Sequence, residues 1–301
     1  GWKRRSKPTA VLPLRLPLSS GAACPSRPQE ILDARTRTPI QPPADKGLRA
    51  VTLADALILG LAAFGAGVLN TVAGGGTFLT FPALVLAGIP PVMANATSAV
   101  AVFPGYLAGA IGFRAELAQV PRARLARLSV VTLAGGLAGS LLLMVSSNEV
   151  FARIVPGLLL FATLVFLFGD RLRRAGARSG TGEGAAGMAG LLLVSIYGGY
   201  FNGGLGILLL ALFSLWGRRD LHRMNGLKSG LSFVLSAISV AAFAVAGLVA
   251  WPEAALMMLA SALGGYAGAP VARAMPRRVL RALIGIVGFG MTLVFALRAW
   301  G

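Results

Sequence analysis

Ten apolar runs separated by short breaks fill most of this chain: 53–72, 77–88, 92–113, 125–146, 149–169, 187–202, 204–217, 226–249, 252–272 and 279–299. Several reach the roughly 20 residues an α-helix needs to cross hydrocarbon. A soluble fold would have to bury nearly all of them in one interior, which 301 residues do not offer. Hydrophobic residues make up 56% of the chain, charged residues 13%, and mean hydropathy is +0.76, outside the balance of a soluble domain. The expected fold class is an all-α, polytopic integral membrane protein with about 8 to 10 membrane segments. Runs 77–88 and 204–217 are too short to span and read as half-helices or re-entrant arms.

The formal charge of +18, from 28 Lys and Arg against 10 Asp and Glu, would point to nucleic acid in a soluble chain. Here the basic residues fall in an N-terminal tail and in short loops, with no basic face interleaved with aromatics. They read as topology determinants and contacts to the lipid bilayer, with no nucleic-acid partner. The single cysteine, Cys24, leaves no internal disulfide or Cys-based metal cluster, and the single histidine, His222, no His-rich metal site. No cofactor is expected. Asp55, Glu116, Glu149, Asp170, Glu183, Asp220 and Glu253 all fall at segment ends or in loops, which argues against a cation pump. No Ser/His/Asp set, zinc pattern or phosphate loop supports an enzyme.

Residues 1–50 differ from the rest. The stretch "GWKRRSKPTAVLPLRLPLSSGAACPSRPQE" is basic, and Pro13, Arg15 and Pro17 break its apolar part, too often for a signal-peptide core. A disordered basic leader is expected there, with a targeting role as the minority alternative.

Beyond it the sequence repeats itself. At an offset of 129, "GGLAG" (135–139) meets "GGYAG" (264–268), "TLVF" (163–166) meets an identical "TLVF" (292–295), and Gly74 and Gly75 meet Gly203 and Gly204. One inserted residue then aligns Asn95 with Asn225 and Phe103 with Phe233. Two homologous repeats of about 130 residues follow, 51–169 and 187–301, joined by a basic, Gly-rich cytoplasmic linker at 170–186. In the first repeat the 114–127 loop carries Arg114, Arg122, Arg124 and Arg127, while the loops before and after it carry no Lys or Arg. In the second the pattern reverses, with Arg218, Arg219 and Arg223, then none around 248–253, then Arg273, Arg277 and Arg278. Equivalent loops on opposite faces make the repeats inverted, an architecture common in secondary transporters.

Gly74, Gly75 and Gly76 interrupt an otherwise apolar run, and "NGGLG" (202–206) is the equivalent break. Broken backbone at membrane depth is tolerated only where protein buries it or a cavity receives it. A helix resuming at Thr77 presents its N–H groups and positive dipole end, which favours an anion. Close helix packing is the competing reading of these glycines, and for "GGLAG" and "GGYAG" it is the preferred one. Around the breaks stand Asn70, Thr71, Asn95, Thr97, Ser98, Asn202, Asn225, Lys228 and Ser229. Membrane Ser and Thr more often bond their own backbone than a ligand. Lys228 either snorkels to the interface or supplies the cation that draws in an anionic substrate.

At these residues a family resemblance enters. "GAGVLNTVAGGGTFLTFPALVLAGIPPVMANATSAVAVFPG" and "YFNGGLGILLLALFSLWGRRDLHRMNGLKSGLSFVLSAISV" resemble the first and second repeats of the sulfite exporter TauE/SafE family, a likeness that covers residues 51–300. It implies a multi-pass permease of the bacterial inner membrane for small anions, typically sulfur oxyanions and organosulfonates such as sulfite or sulfoacetate. The joint expectation is a secondary transporter whose inverted halves rock about a central site. Gly74, Gly75, Gly76, Thr77, Gly203 and Gly204 are expected to give backbone donors, Asn70, Thr71, Asn95, Ser98, Asn202 and Asn225 side-chain contacts, and Lys228 charge. A passive anion channel and a membrane-embedded assembly or enzyme subunit are the alternatives, and a homo-oligomer is compatible with all of them.

Overall fold

The structure, a computed structural model, describes Gly1 and residues 52–300 except 73–74, 180–181, 218–219 and 275–276. The expected leader therefore lies outside the described residues apart from Gly1. Everything below concerns the unit Gly47–Gly301.

Eleven helices are described: α1 (Leu53–Val72), α2 (Thr77–Leu86), α3 (Pro91–Gly112), α4 (Arg114–Ala118), α5 (Arg122–Val145), α6 (Asn148–Ser179), α7 (Ala185–Tyr200), α8 (Leu205–Leu215), α9 (Leu221–Val245), α10 (Trp251–Ala274) and α11 (Arg277–Trp300). Ten of them match the ten apolar runs. α4 was not foreseen, and α6 runs past Asp170 to Ser179, so the expected linker begins as a helical extension. Local chemistry sets several starts. Thr52 and Asp55 form a reciprocal cap, Asp55 N–H donating to Thr52 Oγ1 at 3.1 Å and Thr52 N–H to Asp55 Oδ2 at 3.2 Å. Asp220 caps α9 by accepting from the N–H groups of His222 and Arg223 at 3.0 and 3.3 Å. α3 starts on the Pro90–Pro91 pair, where a missing N–H costs nothing.

Five of the helices contain windows long and apolar enough to cross a bilayer: Leu53–Asn70, Pro91–Gly112, Arg122–Val145, Asn148–Gly169 and His222–Val245. Shorter apolar stretches join them, among them α2 and α8. Large apolar side chains on the outer helices stay exposed, such as Leu61, Leu193, Leu259 and Ile286, as a lipid-facing surface requires. The chain is thus an all-helical, multi-pass membrane protein. α2 and α8 behave differently, with all but a few of their side chains buried. Phe81 of α2 stacks on Phe295 of α11 at 5.4 Å and meets Phe151 and Phe201 edge-on at 6.1 and 5.7 Å. Protein, and not lipid, therefore surrounds most of these two short helices.

The packing follows an exchange rule. α1 lies on α10 as α7 lies on α5, α2 meets α11 as α8 meets α6, and α3 meets α10 as α9 meets α5. α3 pairs with α9, and α6 with α11. Swapping α1, α2, α3, α5 and α6 with α7, α8, α9, α10 and α11 leaves these contacts unchanged, which is a pseudo-twofold relation. Phe103 and Phe233, aligned by sequence, stack on each other at 5.5 Å where α3 and α9 meet. The small-residue motifs close the two largest interfaces. A Cβ on Gly139 would strike the backbone of Ile196, Gly199 and Tyr200, and one on Gly264 the backbone of Phe64. The glycines of "GGLAG" and Gly264 of "GGYAG" are thus packing glycines.

Candidate functional site

The first break lies between α1 and α2. Asn70, in the last turn of α1, turns its amide across the break, and Oδ1 accepts from Gly76 N–H at 3.0 Å. Gly76 has an ordinary right-handed φ of −58°, so conformation alone does not require glycine there. Space does: a Cβ would come 2.8 Å from the Ala66 carbonyl oxygen and 3.0 Å from Asn70 Cγ. Gly75 has more room, its Cβ position lying 3.3 Å from the Phe78 ring. Two polar atoms remain without a hydrogen-bond partner here, Asn70 Nδ2 and Thr77 Oγ1, and both are buried. Gly74 and the Thr71 side chain lie outside what is described.

The second break, between α7 and α8, is built otherwise. Asn202 and Gly204 are left-handed, with φ of 59° and 71°, and Gly204 needs glycine for that reason. Surrounding side chains take up the polar groups. Tyr197 donates to the Gly203 carbonyl at 2.7 Å, Tyr106 donates to Asn202 Oδ1 at 3.4 Å, and Asn95 Nδ2 donates to the Tyr200 carbonyl at 2.8 Å. The breaks approach each other: the Phe78 ring lies 3.3 Å from the Cβ position of Gly75 and 3.8 Å from that of Gly204.

α3 supplies most of the ties. Besides Asn95 and Tyr106 it carries Ser98, whose hydroxyl pairs with Thr80 of α2 at 2.6 Å, and Thr97, which accepts from Ala250 N–H at 3.0 Å. Asn95 and Ser98 are therefore held by protein, although Asn95 Oδ1 stays unpartnered. On α9, Asn225 is half-buried with no hydrogen bond, and Lys228 is 9% exposed with no carboxylate within ion-pair distance among the described residues. Burial inside the bundle is not the geometry of a lysine snorkelling to the interface.

The structure thus joins Asn70, Gly75, Gly76 and Thr77 at one break and Asn95, Asn202, Gly203 and Gly204 at the other, with Ser98 on the flank of α2. Asn225 and Lys228 stand on α9 with no recorded bond to either break. Sequence reasoning passed over Tyr106 and Tyr197, which close the second break, and Ser232 and Ser236, buried on α9 with unpartnered hydroxyls. The signal for Ser236 was present: it aligns with Tyr106 in the register that pairs Asn95 with Asn225. Glu253 sits at a segment end as expected, in the first turn of α10, yet it is buried with Oε2 unpartnered.

Comparison with known proteins agrees with this architecture. The family model described as "Sulfite exporter TauE/SafE" matches residues 59–295. A Haemophilus influenzae protein named "Probable membrane transporter protein" is 29% identical over 78% of this chain and 92% of its own length. Similarly named proteins of Sinorhizobium and Escherichia coli are 25% and 28% identical, over 77% and 75% of this chain and 89% and 84% of their own lengths. No solved structure matches. From within α1 to within α11, the chain belongs to the sulfite exporter TauE/SafE family.

Proposed function

We propose that this membrane transporter of the TauE/SafE type is a secondary transporter of small anions, sulfur oxyanions or organosulfonates such as sulfite or sulfoacetate, working by alternating access. One observation carries the reading: at the first break the buried Asn70 Nδ2 and Thr77 Oγ1 lack partners beside a helix start. The amide Nδ2 is a donor, the hydroxyl can donate, and the α2 N-terminus adds a favourable dipole. Together they suit an oxyanion without requiring a metal or cofactor. The loop charges support repeats at 51–169 and 187–301 inserted with opposite topology, the arginine-rich 114–127 loop facing the cytoplasm, and residence in a bacterial inner membrane.

The test is uptake of labelled sulfite into proteoliposomes containing the purified protein, over a concentration series, with sulfate, taurine and sulfoacetate as competitors. Saturable uptake that a competitor suppresses is the expected result. Flux that rises without saturating would make the protein a channel, and no uptake of any of these anions would remove the substrate assignment.

A further inference from the structure

We propose that the anion's contacts along the bundle come from one helix of the pseudo-twofold pair only: Lys228, Ser232 and Ser236 of α9 line the path, while the matching face of α3 is structural. The inference rests on the anion reading above. Asn225, Lys228, Ser232, Ser236 and Ser239 follow one another at steps of three or four residues, so they share one helix face. At 1.5 Å per residue that stripe runs about 21 Å, most of the thickness of a hydrocarbon core. All but the half-buried Asn225 are at most 9% exposed.

Some buried hydroxyls in this protein have a partner, while Thr132, Ser195 and Ser261, on other helices, have none. Ser140, Thr163 and Ser214 each donate to the carbonyl four residues back, at 2.8, 2.7 and 2.8 Å, and Ser239 pairs with Ser140 at 2.9 Å. Ser232 and Ser236, each 1% exposed, bond to nothing, and Lys228 between Asn225 and Ser232 has no counter-ion among the described residues. A largely buried lysine without a counter-ion among the described residues and two unpartnered hydroxyls on one face are what an anion would complete.

The twin face of α3 carries Asn95, Ser98, Val102, Tyr106 and Gly109 at the equivalent positions, and its polar members are tied to protein: Asn95 to Tyr200, Ser98 to Thr80, Tyr106 to Asn202. Tyr106 closes the second break. The pseudo-twofold carries Tyr106 onto Ser236 and the second break onto the first, so a short hydroxyl stands toward the break that retains unpartnered donors. Two symmetric breaks thus yield one site.

Single cysteines at Ser232, Ser236 and Val102, the twin of Ser232, in a Cys24→Ser background would be exposed in proteoliposomes to the anionic reagent 2-sulfonatoethyl methanethiosulfonate. Cysteine at 232 and 236 should react, sulfoacetate should slow both reactions, and cysteine at 102 should stay unmodified. Unreactive 232 and 236 would overturn the assignment, and equal reaction at 102 would overturn its one-sidedness. In parallel, Ser232→Ala and Ser236→Ala should raise the apparent KM for sulfite about 3- to 10-fold, the loss of one hydrogen bond each, with Val102→Ala unchanged. A wild-type protein that moves no sulfite while keeping the labelling pattern counts against the substrate, not against the stripe.

Discussion

Gly76 and Gly204 open equivalent helices, α2 and α8, yet glycine is needed for opposite reasons, and a pair of substitutions separates them. Gly204 has φ of 71°, and a Cβ there would make only ordinary contacts, 3.5 Å to Ala162 Cβ and 3.8 Å to the Phe78 ring. Gly204→Ala therefore costs the left-handed penalty alone, about 1–2 kcal/mol. Asn tolerates that conformation best among residues with a side chain, so Gly204→Asn should be the milder change. Gly76 is right-handed, and its Cβ would stand 2.8 Å from a backbone oxygen that cannot step aside. Gly76→Ala should cost about 1–3 kcal/mol by overpacking, and Gly76→Asn, being larger, should cost more. Thermal unfolding midpoints of the detergent-purified proteins measure both, each kcal/mol moving the midpoint by about 2–4 °C. The decisive readout is the order: Asn above Ala at 204, Ala above Asn at 76. The same order at both sites would refute this account of the breaks.

Further outcomes follow from the same contacts. Asn95→Ala leaves the Tyr200 carbonyl without its donor and should cost about 1–3 kcal/mol, whereas Asn225→Ala, at the equivalent but unbonded position, should stay within about 0.5 kcal/mol; unfolding midpoints compare the two. Gly139→Leu would drive a side chain into the α7 backbone, so the protein should fail to elute as a single species in detergent gel filtration, whereas Gly157→Leu, with open space around it, should elute normally. Glu183→Gln removes the ion pairs to Arg124 and, at 3.8 Å, to Arg127; the midpoint should fall, and fall less in high salt, where the pairs are already screened.

The fold was legible because its determinants are local or periodic. Run lengths marked the helices, and the 129-residue offset marked the exchange of helices that the packing displays; the start at Leu221, five residues before the expected 226, follows from the Asp220 cap. α4 escaped because five residues carry no periodicity. The helical continuation of α6 escaped because "DRLRRAGARS" reads as a charged linker while its composition is compatible with helix. At the candidate site, residue type made the first break legible, where Asn70 and Gly76 meet. It was not legible that the second break is closed, since that depends on Tyr106 arriving from a helix about 96 residues earlier in the chain, a relation no local pattern contains.

The interfaces also bear on which bodies the proposed alternating access would move. The tightest glycine-backbone contacts join α1 to α10 and α5 to α7, and each pair takes one helix from either repeat. Rocking one intact repeat against the other, the motion expected from the sequence, would have to separate both seams. The seams favour mixed bodies instead, α1 with α10 and α5 with α7, each moving as a unit against the rest. Arg124 at the start of α5 is bonded to Glu183 just before α7, so the second pair is joined at its end as well. Cysteines replacing Arg124 and Glu183 in a Cys24→Ser protein, bridged with a short bismaleimide, would fix α5 to α7. Uptake in proteoliposomes should match that of the same double variant left unbridged, because no relative motion is needed there. Loss of uptake on bridging would show that the seam opens in each cycle, and would restore the repeats themselves as the moving bodies.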